Sequence, residues 1–304
     1  MIDGLRHFLL IAEHQTFTRA AERAHLSQPA LSASIQKLEL ELGATLFHRG
    51  RAGAELTASG AALLPRARAV MSAIEDARRT VLEIQGLQSG EVRLGAGATA
   101  CTYLLPPLLA SFRAAHPGIR FLMREATTPD VLFALETGEL DLGLVTDARG
   151  EYWHGDELIL IASPSLLKEH TMKLKSKKNG PAELPPFITF GKGSTTRHYV
   201  DQHFPSASIV MELGSIAAVK ANVRAGIGIA LVSRSAVEND LAQGRLVEYA
   251  HSKTPLIRPL HLVHRGEQRL APAAAAFRDL MLRNRPKASK KAPAKKKGTK
   301  KARA

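Results

Sequence analysis

Apolar residues recur at three- and four-residue steps from the first turn of this chain. Leu5, Phe8, Leu9 and Ala12 share one face of a predicted first helix. Phe17, Ala20, Ala21 and Ala24 define a second, shorter helix, whose alanines let two helices cross closely. His25 and Leu26 make the turn. Ser27 is placed to N-cap a third helix, and Pro29 fits its first turn. That third helix is predicted to bury Leu31, Ile35, Leu38 and Leu42, and to expose Gln28, Pro29, Ser32, Ala33 and Gln36 near its start.

The period then changes. Thr57 is an N-cap candidate for a long helix reaching about residue 85, and Leu63, Ala67, Val70, Ile74, Ala77, Val81 and Ile84 alternate steps of four and three. A seam that narrow at a 3.5-residue period wants a partner helix, from its own chain or another. Pro65 falls inside it, which predicts a lost hydrogen bond or a kink. After Gln88-Ser89-Gly90, strand signals at 91–94, 119–124, 141–145 and 158–162 enclose helical patterns at 104–116 and 129–137. A second set follows: a strand at 187–190, a helix to about 203, a strand at 209–212, a helix at 216–224 and a strand at 229–232. A strand at 259–263 and a helix at 270–284 complete the chain's ordered part. Strands alternating with helices predict parallel sheets with right-handed crossovers.

Polar side chains at the exposed start of a third helix suit a DNA major groove. Gln pairs with adenine through two hydrogen bonds, and Ser with several base edges. A three-helix structural bundle with ordinary surface polars satisfies the same periodicity. The residues themselves go further. Phe17-Thr18-x-Ala20-Ala21, Leu26-Ser27-Gln28-Pro29-Ala30-Leu31-Ser32, Leu38-Glu39, Leu42-Gly43, Leu46-Phe47 and Leu56-Thr57-x-x-Gly60 closely resemble the LysR-type transcriptional regulators. The resemblance runs to about residue 285. It implies an α/β protein with an N-terminal all-α winged helix-turn-helix, a long linker helix and a two-lobed effector domain like the periplasmic binding proteins. The implied divisions are 1–57 for DNA binding, 58–87 for the dimerisation helix, 88–285 for the effector domain and 286–304 for a lysine-rich tail.

The resemblance also implies double-stranded DNA as partner, with Ser27, Gln28, Pro29, Ser32, Ser34, Gln36 and Lys37 on the recognition helix. It implies a homodimer, with homotetramers common in the family. Two departures stand out. Many relatives carry a basic residue where this chain has Ala33-Ser34, and many spend more residues between Val145 and Asp156, so that edge of the first lobe is expected to be remodelled.

A small-molecule effector is expected between the lobes, where four segments converge in the family. They hold Thr99, Cys101 and Thr102; Thr127 and Thr128; Ser194 and Thr196; and Ser215 and Ile216. Hydroxyl-rich helix starts suit a small carboxylate or other anion, although each hydroxyl singly also reads as a helix cap. Cys101 reads either as a thiol with a lowered pKa at a helix start or as a small packing residue.

Composition narrows the rest. At 304 residues the chain is long enough for more than one domain. No apolar run approaches the about eighteen residues of a membrane span, no signal peptide leads the chain, and one cysteine fits a reducing cytoplasm. A lone thiol also excludes an internal disulfide. The twelve histidines form no HExxH or Cys/His cluster, so neither metal nor cofactor is expected. Gly191-Lys192-Gly193-Ser194 lacks the Walker order, and no catalytic set has recognisable spacing, so no enzyme is expected.

Net charge is +14, but 286–304 holds eight lysines, one arginine and no acid, which leaves +5 for the rest. Residues 1–57 carry six bases and six acids. A formally neutral reading head must place its few positive groups well, and Arg49 and Arg51 on the wing are its phosphate candidates. The tail, unable to bury a core, is expected to be disordered. A nucleoid-associated protein that binds DNA largely non-specifically through that tail is the alternative function.

Overall fold

The N-terminal unit is built from α1 (Ile2–His14), α2 (Phe17–Ala24), α3 (Gln28–Leu42) and a hairpin of β1 (Phe47–Gly50) and β2 (Gly53–Leu56). This computed structural model describes residues 1–50, 53–83, 89–176 and 184–285. Phe8, Ile11, Ala20, Ala21, Leu31, Ile35, Leu38 and Phe47 are buried together as one core. Phe47 packs against Phe8 at a tilt and against Phe17 edge-on, at 5.3 and 5.8 Å between ring centres. Leu42 departs from the sequence expectation: it is 42% exposed. Leu42 is the last residue of α3, one turn beyond the buried Leu38, and Gly43 caps the helix with φ 67°.

Motif residues here are structural. The Glu39 carboxylate accepts from the Leu46 amide at 2.8 Å, tying α3 to the start of the wing. The Thr57 hydroxyl caps the next helix through Gly60 N at 3.0 Å and donates to Thr45 O at 2.7 Å. A Cβ at Gly60 would lie 2.2 Å from the Leu46 carbonyl, so that position admits only glycine without rearrangement.

The helix that starts there, α4 (Ala58–Glu83), runs unbroken through Pro65 for about 39 Å. Its seam is divided. Leu63 and Ala67 pack into the core of their own N-terminal unit, whereas Val70 and Val81 stay exposed, Val81 by 69%. Ile84 lies outside the described residues.

The remaining chain forms two lobes. Lobe I has β3 (Gly90–Ala96), β4 (Ile119–Glu125) and β5 (Leu142–Val145), with α5 (Pro106–Ala115) and α6 (Thr128–Glu136) between them. Lobe II has α7 (Pro164–Ser176), β7 (Phe187–Phe190), α8 (Thr195–His203), β8 (Ile209–Leu213), α9 (Ile216–Arg224), β9 (Ala230–Ser233), α10 (Glu238–Ala242) and β10 (Val247–Glu248). Joining them are β6 (Glu151–Ala162) and β11 (Leu256–Val263), after which α11 (Pro272–Arg283) returns to lobe I. Trp153 fixes that return by donating from Nε1 to Met281 O at 3.0 Å.

The expected parallel pairing is present within each lobe, and antiparallel strands that the periodicity did not predict are added to it. β3 pairs in parallel with β4 and β5, and β7 with β8. β6, by contrast, is antiparallel to β9, β10 and β11, and β11 is antiparallel to β5. The cause is topological: one strand carries the chain out of lobe I and the other brings it back. The short span after Val145 is where β6 begins. Its first residues, from Glu151, pair with β11, leaving only 146–150 as connection. None of the described helices is long and apolar enough to cross a membrane.

Candidate DNA-binding and effector sites

Ser27 caps α3 by accepting from Ala30 N at 3.3 Å, so its hydroxyl serves the helix first. Gln28, Pro29, Gln36 and Lys37 are exposed and Ser32 is half-buried, and together they follow one side of α3. Thr18 donates to Gln28 Oε1 at 3.5 Å, a weak restraint that links α2 to the reading face. Ser34 is placed otherwise. Its hydroxyl hydrogen-bonds His7 Nδ1 of α1 at 2.7 Å, a structural contact. Burial lowers the His7 pKa, which keeps that imidazole neutral. The Arg49 side chain and Arg51 lie outside the described residues.

α4 is fastened to lobe I by a network that the periodicity did not reveal. Arg79 and Arg93 both bond Asp141, with shortest distances of 2.8 and 2.7 Å. Asp76 receives Arg79, Arg93 and Arg265 at 2.6, 2.9 and 2.6 Å. Burial alone would raise the Asp141 pKa, but hydrogen bonds from Arg79 and Arg93 prevail and hold it below the usual carboxylate range. Beside them, Ser72 Oγ donates to Gly138 O at 2.5 Å. Gly138 has φ 78°, and a Cβ there would meet Ser72 Oγ at 2.1 Å, so the helix can approach only a glycine.

The candidate effector residues separate into two groups. Thr127, Ser194 and Ser215 are helix caps, accepting from Asp130 N, Arg197 N and Ala218 N. Thr128 pairs with Thr146 at 3.1 Å, inside lobe I. Thr102 and Ser215 are exposed, and Ile216 is half-buried against the lobe II core. Thr99 makes no capping bond. It precedes a single π-helical turn, Ala100–Leu104, in which the amides of Ala100 and Cys101 already donate to Gly97 O at 2.9 and 3.1 Å. Those two amides are therefore in use.

Cys101 is settled by its surroundings. Burial, with help from Glu125, pushes its thiol up to about 11, and Sγ donates to Ala96 O at 3.4 Å. It packs against the lobe I core. The lowered pKa considered from the sequence is thus reversed.

Sequence reasoning missed the residue that joins the two lobes. Arg258, on β11, is 6% exposed and Asp156, opposite it on β6, is 1% exposed. Arg258 donates to Asp156 Oδ2 from Nε at 3.0 Å and from Nη2 at 2.5 Å. It also donates from Nη2 to Thr99 Oγ1 at 3.2 Å and from Nη1 to Thr196 Oγ1 at 3.0 Å. Ser233 donates to the other Asp156 oxygen at 2.5 Å. One buried guanidinium therefore touches a candidate hydroxyl of each lobe. Only an arginine lying between Ile257 and Pro259, beside an apolar strand, marked it in the sequence.

With this geometry in hand, likeness to known proteins can be stated. Residues 2–61 match the model of the bacterial regulatory helix-turn-helix protein, lysR family, and residues 85–286 match that of the LysR substrate binding domain. The chain belongs to the LysR family. This regulator is 32% identical over 289 residues to a probable RuBisCO transcriptional regulator of Nostoc sp., covering 91% of this chain and 86% of that one. It is 30% identical over 290 residues to the regulator YeiE of Escherichia coli, covering 90% and 94%. Among solved structures, full-length OxyR from Pseudomonas aeruginosa aligns with a TM-score of 0.68 at 23% identity, over 96% of this chain and 99% of that chain. CbnR complexed with its target DNA aligns with a TM-score of 0.66 at 22% identity, over 93% and 99%. Those structural likenesses carry the fold. As a LysR-type protein, the chain is a sequence-specific DNA-binding transcriptional regulator that responds to a small-molecule effector.

Proposed function

We propose that this regulator acts in the cytoplasm as a homodimer, without catalysis, and is switched by a small anionic effector held between its lobes. The observation that carries the effector reading is the meeting of Thr99 and Thr196 on one buried side chain. Candidate residues from both lobes thus face a common point, as a ligand that draws the lobes together requires. The exposed stretch of α4, with Val70, Ala77 and Val81, supports pairing of two chains. Gln28, Ser32, Gln36 and Lys37 serve DNA readout in this reading, with Arg49 and Arg51 of the wing on phosphates. The tail at 286–304, outside the described residues, adds long-range attraction through its nine positive charges. A RuBisCO regulator and YeiE match at nearly equal identity, so identity at this level marks the family and not the target gene.

Footprinting on DNA upstream of the regulator's own coding region tests the reading. Protection of two half-sites on one face of the duplex is expected, with the protected length changing when a small-molecule extract of the source cells is added. Uniform protection of unrelated DNA would instead support the non-specific alternative.

A further inference from the structure

The outward side of α3 has an apolar centre. At 3.6 residues per turn, Ala33 lies about 140–160° around the helix from the buried Leu31, Ile35 and Leu38. It therefore points away from the core of the N-terminal unit, and it is exposed. Pro29, one turn earlier, and Gln36, one turn later, are exposed along the same side. Ser34, next in the chain, is turned toward α1 by its 2.7 Å hydrogen bond to His7 Nδ1. Of residues 33 and 34, only Ala33 is left to face a partner.

A methyl group has neither donor nor acceptor, so it reads no base by hydrogen bonding. Of the base edges in the major groove, only thymine presents an apolar group, its 5-methyl. Any other edge at that point would have a polar atom covered by the methyl, cut off from water without a partner, which is costly. On either side, Gln28 and Gln36 carry amides suited to adenine. The middle of the face is thus built for A·T pairs.

We infer that Ala33 is a specificity-determining residue, whose methyl group packs on the 5-methyl of one thymine in each half-site. The inference rests on the reading of α3 as the DNA-facing helix, and adds a residue and a base to it. Ala33 lies about 7.5 Å beyond Gln28 at 1.5 Å per residue, and base pairs are spaced by about 3.4 Å. The thymine is therefore about two base pairs from the base that Gln28 meets.

The test uses the full-length protein and fluorescence anisotropy on the footprinted operator, with each thymine replaced in turn by deoxyuridine. That change removes one methyl and keeps the base pair. One thymine per half-site should be sensitive, with binding weaker by roughly fourfold when its methyl is gone. Ala33→Gly should bind the thymine and uracil operators alike at that position. Glycine weakens a helix, so each variant is compared with itself on the two DNAs, which cancels any loss of folded protein. If the glycine variant fails to fold, Ala33→Asn puts an amide in place of the methyl and should shift the preference at that pair from thymine to adenine. Absence of any sensitive thymine in the wild type would overturn the inference. So would a sensitivity that persists in the Ala33 variants, since another side chain would then hold the methyl. Gln28→Ala, run alongside, separates this failure from a wider one, because a lost base preference there keeps α3 as the reading helix. If neither Gln28→Ala nor the Ala33 variants change any base preference, the assignment of α3 as the DNA-facing helix fails too.

Discussion

Asp141 is the residue on which the seating of the linker helix turns. Its carboxylate is 3% exposed and accepts five hydrogen bonds, two from Arg79 and three from the backbone and side chain of Arg93. Asp141→Asn keeps the shape and removes the charge, leaving Asp76 alone to balance Arg79, Arg93 and Arg265. Removing one partner of a buried ion pair costs about 3–5 kcal/mol. The arginines retain some solvent access, so the lower end, about 3 kcal/mol, is expected here. For an effector domain of this size that corresponds to a fall in Tm of roughly 6–12 °C. Calorimetry of the full-length protein measures it, with Asp3→Asn as control, because Asp3 is 78% exposed in its pair with Arg6.

The pH dependence follows from the lowered folded pKa. The stabilisation is complete above the unfolded value of about 3.9 and is lost as pH falls through the lower folded value. The gap between wild type and Asp141→Asn should therefore hold from pH 7 to pH 5 and narrow only below about pH 4. A Tm within a degree or two of the Asp3→Asn control, or a gap that closes above pH 5, would refute the network as the seat of α4.

Four further outcomes are expected. Gln28→Ala should cost about 1–3 kcal/mol on the operator and little on random DNA, measured by fluorescence anisotropy; equal losses would show that Gln28 reads no base. Val70→Glu and Val81→Glu place charges on residues that are exposed in the single chain, so each should fold and sediment as a monomer; an unchanged dimer would remove the seam from the interface. Cys101, with its thiol raised to about 11, should resist alkylation by iodoacetamide at pH 8 in the folded protein, and rapid labelling would contradict its placement. Deleting 286–304 should weaken operator and random DNA together and flatten the salt dependence without changing the preferred site, whereas unaltered affinity and salt slope would make the tail a solvated appendage.

The N-terminal unit was largely legible because its signals are local. Helix faces repeat within a few residues, and caps such as Ser27 and Thr57 sit beside what they cap. Leu42 lies one turn beyond Leu38 at the very end of α3, and a helical period does not tell where the core stops. The periodicity presents the seam on α4 as one surface although tertiary packing divides it: Leu63 and Ala67 belong to the reading head, whereas Val70 and Val81 stay exposed. Strand direction in the effector domain depends on which segments cross between lobes, a long-range property that periodicity does not encode. Arg258 and Asp156 lie 102 residues apart, and nothing local in either marks the other. Single hydroxyls gave equal signals as caps and as ligand groups, and only the partners of Thr99 and Thr196 set those two apart.

The double crossing of β6 and β11 has a mechanical meaning. Two tethers of opposite direction, paired rung by rung near Gly155 and Pro259, yield to bending across the sheet and resist sliding along it. A rotation of lobe II would therefore turn about this crossing, with Arg258 beside the axis. Lobe I is the frame, and α4 with its reading head is bolted to that frame through Asp76 and Asp141. Within one chain, then, the swing leaves the DNA-facing helix where it was. For the proposed dimer, the displacement reaches DNA only by pressing on a second copy, and a lone chain would be a switch with no wire attached.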